Sequence, residues 1–482
     1  MAKAKIKDPT KAIKPMLGGS VHTPARTRRK LEGSRFVLTT AQNNTKVHSK
    51  FWATLQHFCK VNDAQLGVSK ITYNKNGWQK VTTDSEGLWY DERLAPYFIT
   101  EQVQVADGLL FCAELDILPT AALPLRGLDN YTGPHSGIIP HPKQQLKSLA
   151  TMKHDEPKFL YSTGAVTLRN YIQRKAGQVA QYHHVFGALF VEVDLAGNWF
   201  VRQLNSDEDG VVYDLDRVYG PGWDKPAKEF GRPIVTLGDI HLEKLDPVAW
   251  GGAELMLYDL RPDAVFLHDL IDFEHRNHHN KKDPIFLVGQ QKRPTVERSL
   301  HRAADWLEEF ELHHPDTQVY VVKSNHDEAF ERWIKEGSGF LDPTNLRFWH
   351  ECNYRWMDAV EREDDVDPLA SVIRGRAPLP RTRFLRADES LVLRDIEHGM
   401  HGHLGPRGAK GTPAGFRQLG RKANTGHTHE AGIIDGQWTA GVLGNKDMGY
   451  NRGPSGWSTS HIITHPNGKR QMVTQRGDKY RA

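Results

Sequence analysis

Five segments in the second half of the sequence carry side chains that could bind a metal ion. Each segment ends an apolar run and provides a carboxylate, a carboxamide or an imidazole. In chain order the candidates are Asp239 and His241, Asp269 and Asp272, Asn325 with His326 and Asp327, the histidines His398, His401 and His403, and His427 with His429. Oxygen and imidazole ligands together suit manganese, iron, zinc or nickel. The pattern therefore indicates a metal centre built from distant parts of the chain.

The elements that position these residues are predicted to be strands. The apolar run 233–238 ends at a glycine, which is typical of a buried strand. Asp239 and His241 follow two residues apart, so their side chains can share a face. Open α/β sheets bind their ligands at the carboxyl ends of the strands. Between the second and third segments, residues 295–311 have an apolar stripe at helical spacing and are predicted to form a helix.

The order of these motifs resembles that of a known enzyme family. Gly-Asp-x-His at Gly238, an Asp at position 269, Asn-His-Asp at Asn325, His-Gly at His401 and Gly-His-x-His at Gly426 are similar to the motifs of calcineurin-like metallophosphoesterases. The resemblance covers roughly residues 232–475. It points to the SbcD-type nuclease branch, and the C-terminal part looks like phage-encoded members.

Two positions depart from the family pattern. The family has glycine before its second-motif Asp and before Asn-His, where this chain has His268 and Ser324. Neither position supplies a metal ligand in the family. We therefore expect these two residues to affect turn geometry or to line the pocket, without changing the ligand set.

The resemblance implies an α/β fold with several parts. Residues 232–478 are expected to form a C-terminal metallophosphoesterase β-sandwich flanked by helices, in the layer order α/β/β/α. A strand–helix–strand pattern at its start predicts a smaller α/β domain over residues 33–225. Residues 1–32 are predicted to be a flexible basic arm. The stretch 219–226 is rich in Gly and Pro and marks the predicted domain boundary.

The resemblance also implies two divalent metal ions, with manganese expected and magnesium, iron or zinc as alternatives. Asp269 would bridge the ions, because a shared carboxylate is needed to hold two cations close together. The other implied ligands are Asp239, His241 and His429 for the first ion, and Asn325, His401 and His427 for the second. His398 and His403 stay open as alternatives to His401, because both are also next to glycines.

Two further residues are assigned to catalysis by the same resemblance. His326 matches the family's general acid, which protonates the leaving oxygen. Asp327 would orient that imidazole. For every one of these residues the alternative is an ordinary core or surface side chain, since the chain contains 25 histidines.

Composition limits the class of protein. With 482 residues, 38% hydrophobic and 25% charged, the chain is predicted to be soluble and to have two domains. No stretch approaches the ~20 apolar residues of a membrane span, and the basic start lacks the apolar core of a signal peptide. Three isolated cysteines favour a reducing compartment. We therefore expect a cytoplasmic protein, in the host cytoplasm if it is phage-encoded, without a membrane partner. A homo-oligomer is left open.

Basic residues are unevenly distributed. Residues 1–32 carry a formal charge of +7 and the rest of the chain −3. A basic arm suggests contact with DNA, with a solvated tail as the alternative. Other candidates for DNA binding are Arg374, Arg376, Arg381 and Arg383 in the polar stretch 361–390, which is interpreted as a surface insertion, and Arg407 and Lys410 in a basic run. Residues 163–184 mix basic and aromatic side chains, among them Tyr182 and His183. A base-stacking surface and a solvated helix followed by a buried His pair both remain open there.

The substrate is not fixed by the fold, because one scaffold serves many phosphoesterases. The first hypothesis is a phage-type nuclease that degrades DNA, since a basic arm and a large extra domain exceed the needs of a small-molecule enzyme. The alternative is a phosphoprotein or nucleotide phosphatase with the same metal site. A binding protein with a degenerate site is the third hypothesis, and the complete ligand set argues against it.

Overall fold

A computed structural model of the chain describes residues 28–75, 87–153, 155–276, 284–290, 292–449 and 451–482. Residues 1–27 of the predicted basic arm therefore lie outside the described residues. The chain forms both helices and multistranded sheets, so the predicted α/β class is confirmed at this level.

Helices are concentrated in the second half of the described chain. They are α1 (Ser49–Val61), α2 (Lys175–His183), α3 (Pro247–Leu260), α4 (Pro284–Gln290), α5 (Val296–His313), α6 (Asn325–Lys335), α7 (Leu346–Glu361), α8 (Pro368–Arg376) and α9 (Pro413–Phe416). The predicted helix 295–311 corresponds to α5, and Thr295 caps it by accepting a hydrogen bond from Arg298 N. Within the described ranges, no helix has both the length and the apolar character needed to cross a bilayer.

Strands occur throughout the chain. They are β1 (Arg29–Lys30), β2 (Arg35–Gln42), β3 (Gln65–Ile71), β4 (Gln102–Ala106), β5 (Leu109–Cys112), β6 (Ser136–Ile139), β7 (Leu146–Leu149), β8 (Lys158–Ser162), β9 (Gly187–Val193), β10 (Trp199–Asn205), β11 (Val212–Asp214), β12 (Arg217–Gly220), β13 (Trp223–Pro226), β14 (Ile234–Thr236), β15 (Ala264–His268), β16 (Gln318–Val322), β17 (Thr382–Phe384), β18 (Val392–Leu393), β19 (Ile396–Glu397), β20 (Lys422–Thr425), β21 (Gly432–Ile434), β22 (Gln437–Thr439), β23 (Ser460–Thr464) and β24 (Arg470–Thr474).

A six-stranded sheet positions most of the predicted site. Its strand order is β17-β16-β15-β14-β23-β24. Strands β14 to β17 are parallel, whereas β23 and β24 pair antiparallel. Helix α3 connects β14 to β15, and α5 lies between β15 and β16, as crossovers between parallel strands require. The carboxyl ends of β14, β15 and β16 therefore share one edge of the sheet.

The two faces of this sheet are covered by different layers. Val265 and Leu267 of β15 pack in a core with helices α3, α5, α6 and α8. Phe266, between them, points to the opposite face and packs with Leu385 and residues near β18. On that side Ile462 of β23 shares a core with β21 and β22. Helices thus cover one face and a second sheet covers the other. The complete four-layer sandwich remains a prediction.

The second sheet contains strands from both halves of the chain. Its eleven strands have the order β1-β4-β5-β6-β8-β7-β21-β22-β20-β19-β18. The halves meet where β7 pairs antiparallel with β21, with Leu146 opposite Ile433. Arg29–Lys30, at the end of the predicted arm, pair with β4 at the sheet edge. One sheet therefore runs across the predicted division between residues 33–225 and 232–478.

The N-terminal strand–helix–strand pattern is also found. Strands β2 and β3 are parallel neighbours in a four-stranded sheet of order β10-β9-β2-β3. Helix α1 packs on this sheet through Phe51, Leu55 and Phe58, in one core with Val37 and Phe190. The three-stranded sheet β11-β12-β13 follows before β14.

The stretch 361–390 differs from its interpretation as a surface insertion. Helix α8 buries Leu369 and Ile373 in the same core as α5, and β17 is the edge strand beside β16. The interpretation is therefore wrong. Leu369, Ile373 and Ala377 of this polar stretch lie four positions apart, which is the spacing of one helix face, and all three lie in that core.

Candidate metal centre

Backbone geometry at the strand ends turns the predicted ligands inward. His241 N donates to the carbonyl oxygen of Asp269 at 2.7 Å, which joins the loops after β14 and β15. His241, Asp269, His427 and His429 all have positive φ, at 48°, 46°, 76° and 59°. Residues other than glycine adopt this conformation at a cost, and such residues cluster at functional sites. Four of the seven predicted ligands therefore have an unfavourable backbone conformation, which the surrounding structure must stabilise.

Four predicted ligands form one buried group. Donor atoms of Asp239, His241, Asp269 and His429 lie within 4.8 Å of one another. The Nε2 atoms of His241 and His429 are 3.0 Å apart. His429 Nε2 is also 3.2 Å from Asp239 Oδ2. These buried His and Asp groups could hold a metal ion.

The other three predicted ligands lie directly beside this group. Asn325 Oδ1 is 3.1 Å from His401 Nε2 and 3.1 Å from His427 Nδ1. His401 Nε2 is 3.4 Å from Asp269 Oδ2, and His241 Nε2 is at the same distance from that oxygen. The carboxylate of Asp269 therefore lies between the two halves of the ligand set.

Some of the donor atoms have no hydrogen-bond partner within the cluster and could instead bind a cation. Oδ1 of Asp239 and Oδ1 of Asp269 are buried and have no hydrogen-bond partner among the described residues. Buried oxygens without a partner destabilise a fold unless an ion or water satisfies them. The backbone leaves room here, because a Cβ at Gly426 would lie 2.1 Å from Asp239 Oδ1.

The ionisation of the cluster follows from these contacts. Burial alone would raise the pKa of Asp269, but the imidazoles around it, His401 first, hold that pKa well below its usual range. Burial lowers the pKa of His401, yet the surrounding carboxylates, Asp269 first, together outweigh burial and raise that pKa to about 9. A metal ligand must be unprotonated, so binding of an ion at His401 would release a proton.

Asp272 is a site residue to which the resemblance assigns no role. Its Oδ1 is 3.1 Å from His241 Nδ1, on the ring edge opposite the cluster. His326 Nδ1 is 2.6 Å from the backbone oxygen of Asp272. Asp327, which was predicted to orient His326, instead forms a capping box with Ser324 at the start of α6. The available signal for Asp272 was its position three residues after the motif carboxylate.

The three histidines of the fourth segment separate in the structure. His401 lies in the cluster, as described above. His398 stacks on Phe266 with ring centroids 4.5 Å apart, and His403 Nε2 lies 3.4 Å from a carboxylate oxygen of Glu328. In the part of the chain that the structure describes, neither His398 nor His403 belongs to a group of potential metal ligands.

His268 was expected to affect the turn or to line the pocket, and it contacts a ligand. Its Nδ1 is 3.3 Å from His401 Nδ1, and it forms a candidate metal-binding group with Asp239 and His401. Burial, followed by the charge of His401, lowers the pKa of His268 to about 4. A neutral imidazole at this point can accept a hydrogen bond from His401.

The arginines of residues 361–390 are already engaged within the protein. Their partners are the Thr382 carbonyl and the Phe384 ring for Arg374, Asp305 for Arg376, Glu311 for Arg381 and Glu389 for Arg383. The carbonyl oxygen of Arg381 accepts from Val319 N, near the amino end of β16, whereas Asn325 follows its carboxyl end. Arg381 therefore lies at the amino ends of the parallel strands, opposite the predicted metal ligands.

Arg407 and Lys410 are placed differently. Both are exposed on the loop after His403, which Gly411 N closes by donating to the carbonyl oxygen of His403 at 2.9 Å. The His403 ring lies 5.4 Å from the His401 ring. The fold thus brings these two predicted DNA-binding residues to the neighbourhood of the cluster.

Comparison with known proteins identifies one relative over nearly the whole chain. Protein A1 of Escherichia phage T5 is 38% identical over an alignment of 505 positions, which covers 99% of this chain and 89% of that protein. No family model matches the chain, and no solved structure matches it. The extent and identity of the one alignment are sufficient to assign a family: the chain belongs to the family of Protein A1 of Escherichia phage T5.

Proposed function

We propose that this protein is a two-metal phosphodiesterase of the calcineurin-like type and that it degrades DNA. The observation that carries the proposal is the position of Asp269 Oδ2, which lies 3.4 Å from Nε2 of His241 and 3.4 Å from Nε2 of His401. A carboxylate shared by two ligand sets is what a pair of divalent ions requires.

Each half of the ligand set mixes oxygen and imidazole donors, which fits manganese and admits magnesium, iron or zinc. When bound, two such ions supply Lewis acidity and a nucleophile at neutral pH. Asp272 lies against His241 Nδ1, which leaves Nε2 of that ring as the ligand atom. His268 supports His401 in the same way, at Nδ1. Such outer contacts fix ring orientation in metal sites.

His326 is proposed as the general acid. Its Nδ1–H donates to the carbonyl oxygen of Asp272, so Nε2 is the atom that can carry a transferred proton. Its ring lies 4.8 Å from that of His241, which keeps it beside the ligand set. The residue would protonate the leaving oxygen of the substrate, and Asp272 is the residue that orients it.

DNA is proposed as the substrate on two grounds. The chain belongs to a phage protein family, and the exposed Arg407 and Lys410 lie on a loop next to the cluster. Basic side chains beside a phosphoryl-transfer site bind the phosphates that flank the reacting one. Such an enzyme would act in the cytoplasm of the infected cell.

Three substrates test the proposal. Purified protein with manganese is incubated with plasmid DNA, with bis(p-nitrophenyl) phosphate as a simple diester, and with p-nitrophenyl phosphate as a monoester. We expect cleavage of DNA and of the diester, and loss of both in excess chelator. Hydrolysis of the monoester alone would assign the protein to the phosphatases, and no hydrolysis in any assay would reject the proposal.

A pair of aspartate variants provides the control. Asp269→Asn removes the bridging charge with almost no change of shape and should abolish DNA cleavage. Asp316→Asn removes a carboxylate whose side chain is 75% exposed and should leave cleavage unchanged. Equal activity of the two variants would contradict the role of Asp269.

A further inference from the structure

A second site lies away from the metal centre, in a cleft of about 860 Å³ between the end of α2 and strands β20 to β22. We call it the basic cleft. Its cationic lining residues are Lys143, Arg417, Arg421, Lys422, Lys469 and Arg470. Only Asp395 and Asp435 oppose them among the described lining residues, so the cleft has an excess of positive charge.

The internal ion pairs do not remove this excess. Asp435 serves two cations, Lys143 and Arg417, the latter at 2.6 Å. Within the described ranges no carboxylate lies at ion-pair distance from Lys422 or Lys469. The cleft therefore presents two ammonium groups that lack an ion-pair partner in the described part of the chain.

Arg470 adds a buried charge below these lysines. Its guanidinium donates to the carbonyl oxygens of Ala423 and Gly436 and to Oδ1 of Asn424, at 2.7 to 3.0 Å. It also lies 4.8 Å from the ring centroid of Trp438. All these partners are neutral, and burial lowers the pKa of Arg470 to about 9. A buried cation without a counter-ion is costly, and a bound anion would offset that cost.

The two lysines repel each other. The pKa of Lys469 is lowered by burial and next by the charge of Lys422. The pKa of Lys422 is lowered because the surrounding protein partly removes it from water and because Arg470 is near. An anion in the cleft would relieve both repulsions.

An exposed aromatic side chain stands at the rim. Tyr182, in the last turn of α2, lines the cleft and is 82% exposed, and His183 lies beside it. An exposed tyrosine next to a basic groove is the combination with which proteins bind single-stranded nucleic acid, because a base stacks on the ring. Bases inside a duplex are already stacked, so this surface favours single strands.

The basic cleft is separate from the metal centre. Lys422 begins β20, and His427 follows the other end of that strand. Five residues of extended chain span at most about 17 Å. A strand bound in the cleft would thus be held near the metal centre without occupying it.

We propose that the basic cleft binds the sugar–phosphate backbone of a single-stranded nucleic acid, with a base stacked on Tyr182. The inference rests on the proposed function, because the cleft would be a second contact between the proposed nuclease and its substrate. Binding itself needs no hydrolysis and can be measured alone. A free nucleotide has the same phosphate and base chemistry, so the test must separate it from a polymer.

The test measures anisotropy of a fluorescent oligothymidylate with the full chain in excess chelator, at several salt concentrations. Lys422→Gln/Lys469→Gln should weaken binding by about tenfold or more. The salt slope should decrease by about 0.7 for each lost phosphate contact. Tyr182→Ala, at an exposed position that the fold does not need, should weaken binding by about fivefold or more.

The matched control is Lys60→Gln/Lys225→Gln, which removes two exposed lysines outside the cleft and should leave affinity within about twofold. Competition by unlabelled oligothymidylate, but not by the same phosphate concentration of thymidine monophosphate, would support the inference. Equal competition by the nucleotide would overturn the assignment to a polymer. Wild-type affinity in both cleft variants would overturn the site.

Hydrolysis of bis(p-nitrophenyl) phosphate distinguishes the two proposals. The cleft variants should retain this activity, because the small diester does not reach the cleft. If the wild-type protein binds oligothymidylate through the cleft but hydrolyses no ester, the proposed function fails and the binding site stands. If hydrolysis is normal and the cleft variants bind like wild type, only the cleft inference fails.

Discussion

At the residue scale, Asp269 and His326 are the two residues of the candidate metal centre with the most distinct proposed roles. Asp269 places one carboxylate oxygen between His241 and His401. His326 lies beside the cluster, but its Nδ1 is engaged with the backbone of Asp272. The first residue is therefore proposed to hold metal, and the second to move a proton. The two roles can be separated by experiment.

His326→Ala should leave metal content unchanged and slow DNA cleavage by about 10² to 10⁴-fold, the usual contribution of a positioned acid. Bis(p-nitrophenyl) phosphate has a leaving group that departs without a proton, so its hydrolysis should slow far less. Steady-state rates on both substrates check this, with the exposed His350→Ala as control. Equal losses on the two substrates would show that His326 is not the acid.

The sequence predicted which side chains lie at the site better than it predicted the contacts that these side chains make. Asp239, Asp269 and Asn325 came together because each follows a parallel strand. The resemblance selected His401, but the sequence alone could not exclude His398 and His403, because all three follow the same short strands and only tertiary packing separates them. Asp272 and His268 were missed as supporting residues, because their contacts run across loops. The position of Asp272 three residues after Asp269 was a local signal, but it did not indicate the contact.

At the element scale, the loop from β20 to β21 approaches Asp239 closely at Gly426. A side chain at Gly426 would lie 2.1 Å from Asp239 Oδ1. Gly426→Ala should therefore displace Asp239 and lower metal affinity by at least tenfold, measured by isothermal titration with manganese. Unchanged affinity in this variant would contradict the geometry of the loop.

Gly251→Ala is the matched control, because a Cβ at this exposed position of α3 meets nothing within 4 Å. Alanine is favoured over glycine in a helix by about 0.5–1 kcal/mol. This variant should unfold at a slightly higher temperature and bind metal like wild type.

Local patterns predicted several elements and missed others for physical reasons. Helix α5 was predictable, since its stripe from Val296 to Phe310 and its Thr295 cap are local. Helix α1 is the helix of the predicted strand–helix–strand pattern, and its cap is the imidazole of His48, which accepts from Phe51 N. Strand β17 was missed, because three residues at a sheet edge have no pattern of their own.

At the scale of the whole molecule, the eleven-stranded sheet joins the two halves of the chain, and the sequence did not predict it. Pairing of β7 with β21 joins residues almost three hundred positions apart. A second connection is Gln471 of β24, which donates to Asp214 Oδ1 at 3.1 Å, where Asp214 also binds the buried Arg202. Such long-range pairings depend on the complete fold and leave no local pattern in the sequence. The Gly and Pro residues at 219–226 are a local pattern, so the sequence predicted a domain boundary there.

Residues 232–478 expressed alone should not form the native structure, because strand β21 and the core around Ile433 would lose their partners. We expect no cooperative thermal transition and no near-ultraviolet circular dichroism. A chain that lacks only residues 1–27 retains every described element and should unfold like the full protein. A cooperative transition in the isolated 232–478 segment would support the predicted division into domains.

The number and coupling of bound metal ions test the central proposal most directly. Manganese-loaded protein is freed of excess metal, its metal content is determined, and its electron paramagnetic resonance spectrum is recorded. We expect two manganese ions per chain with an exchange-coupled spectrum, which Asp269→Asn converts to an uncoupled one or abolishes. One ion per chain with the six-line spectrum of isolated manganese, unaffected by Asp269→Asn, would contradict a two-metal centre bridged by Asp269.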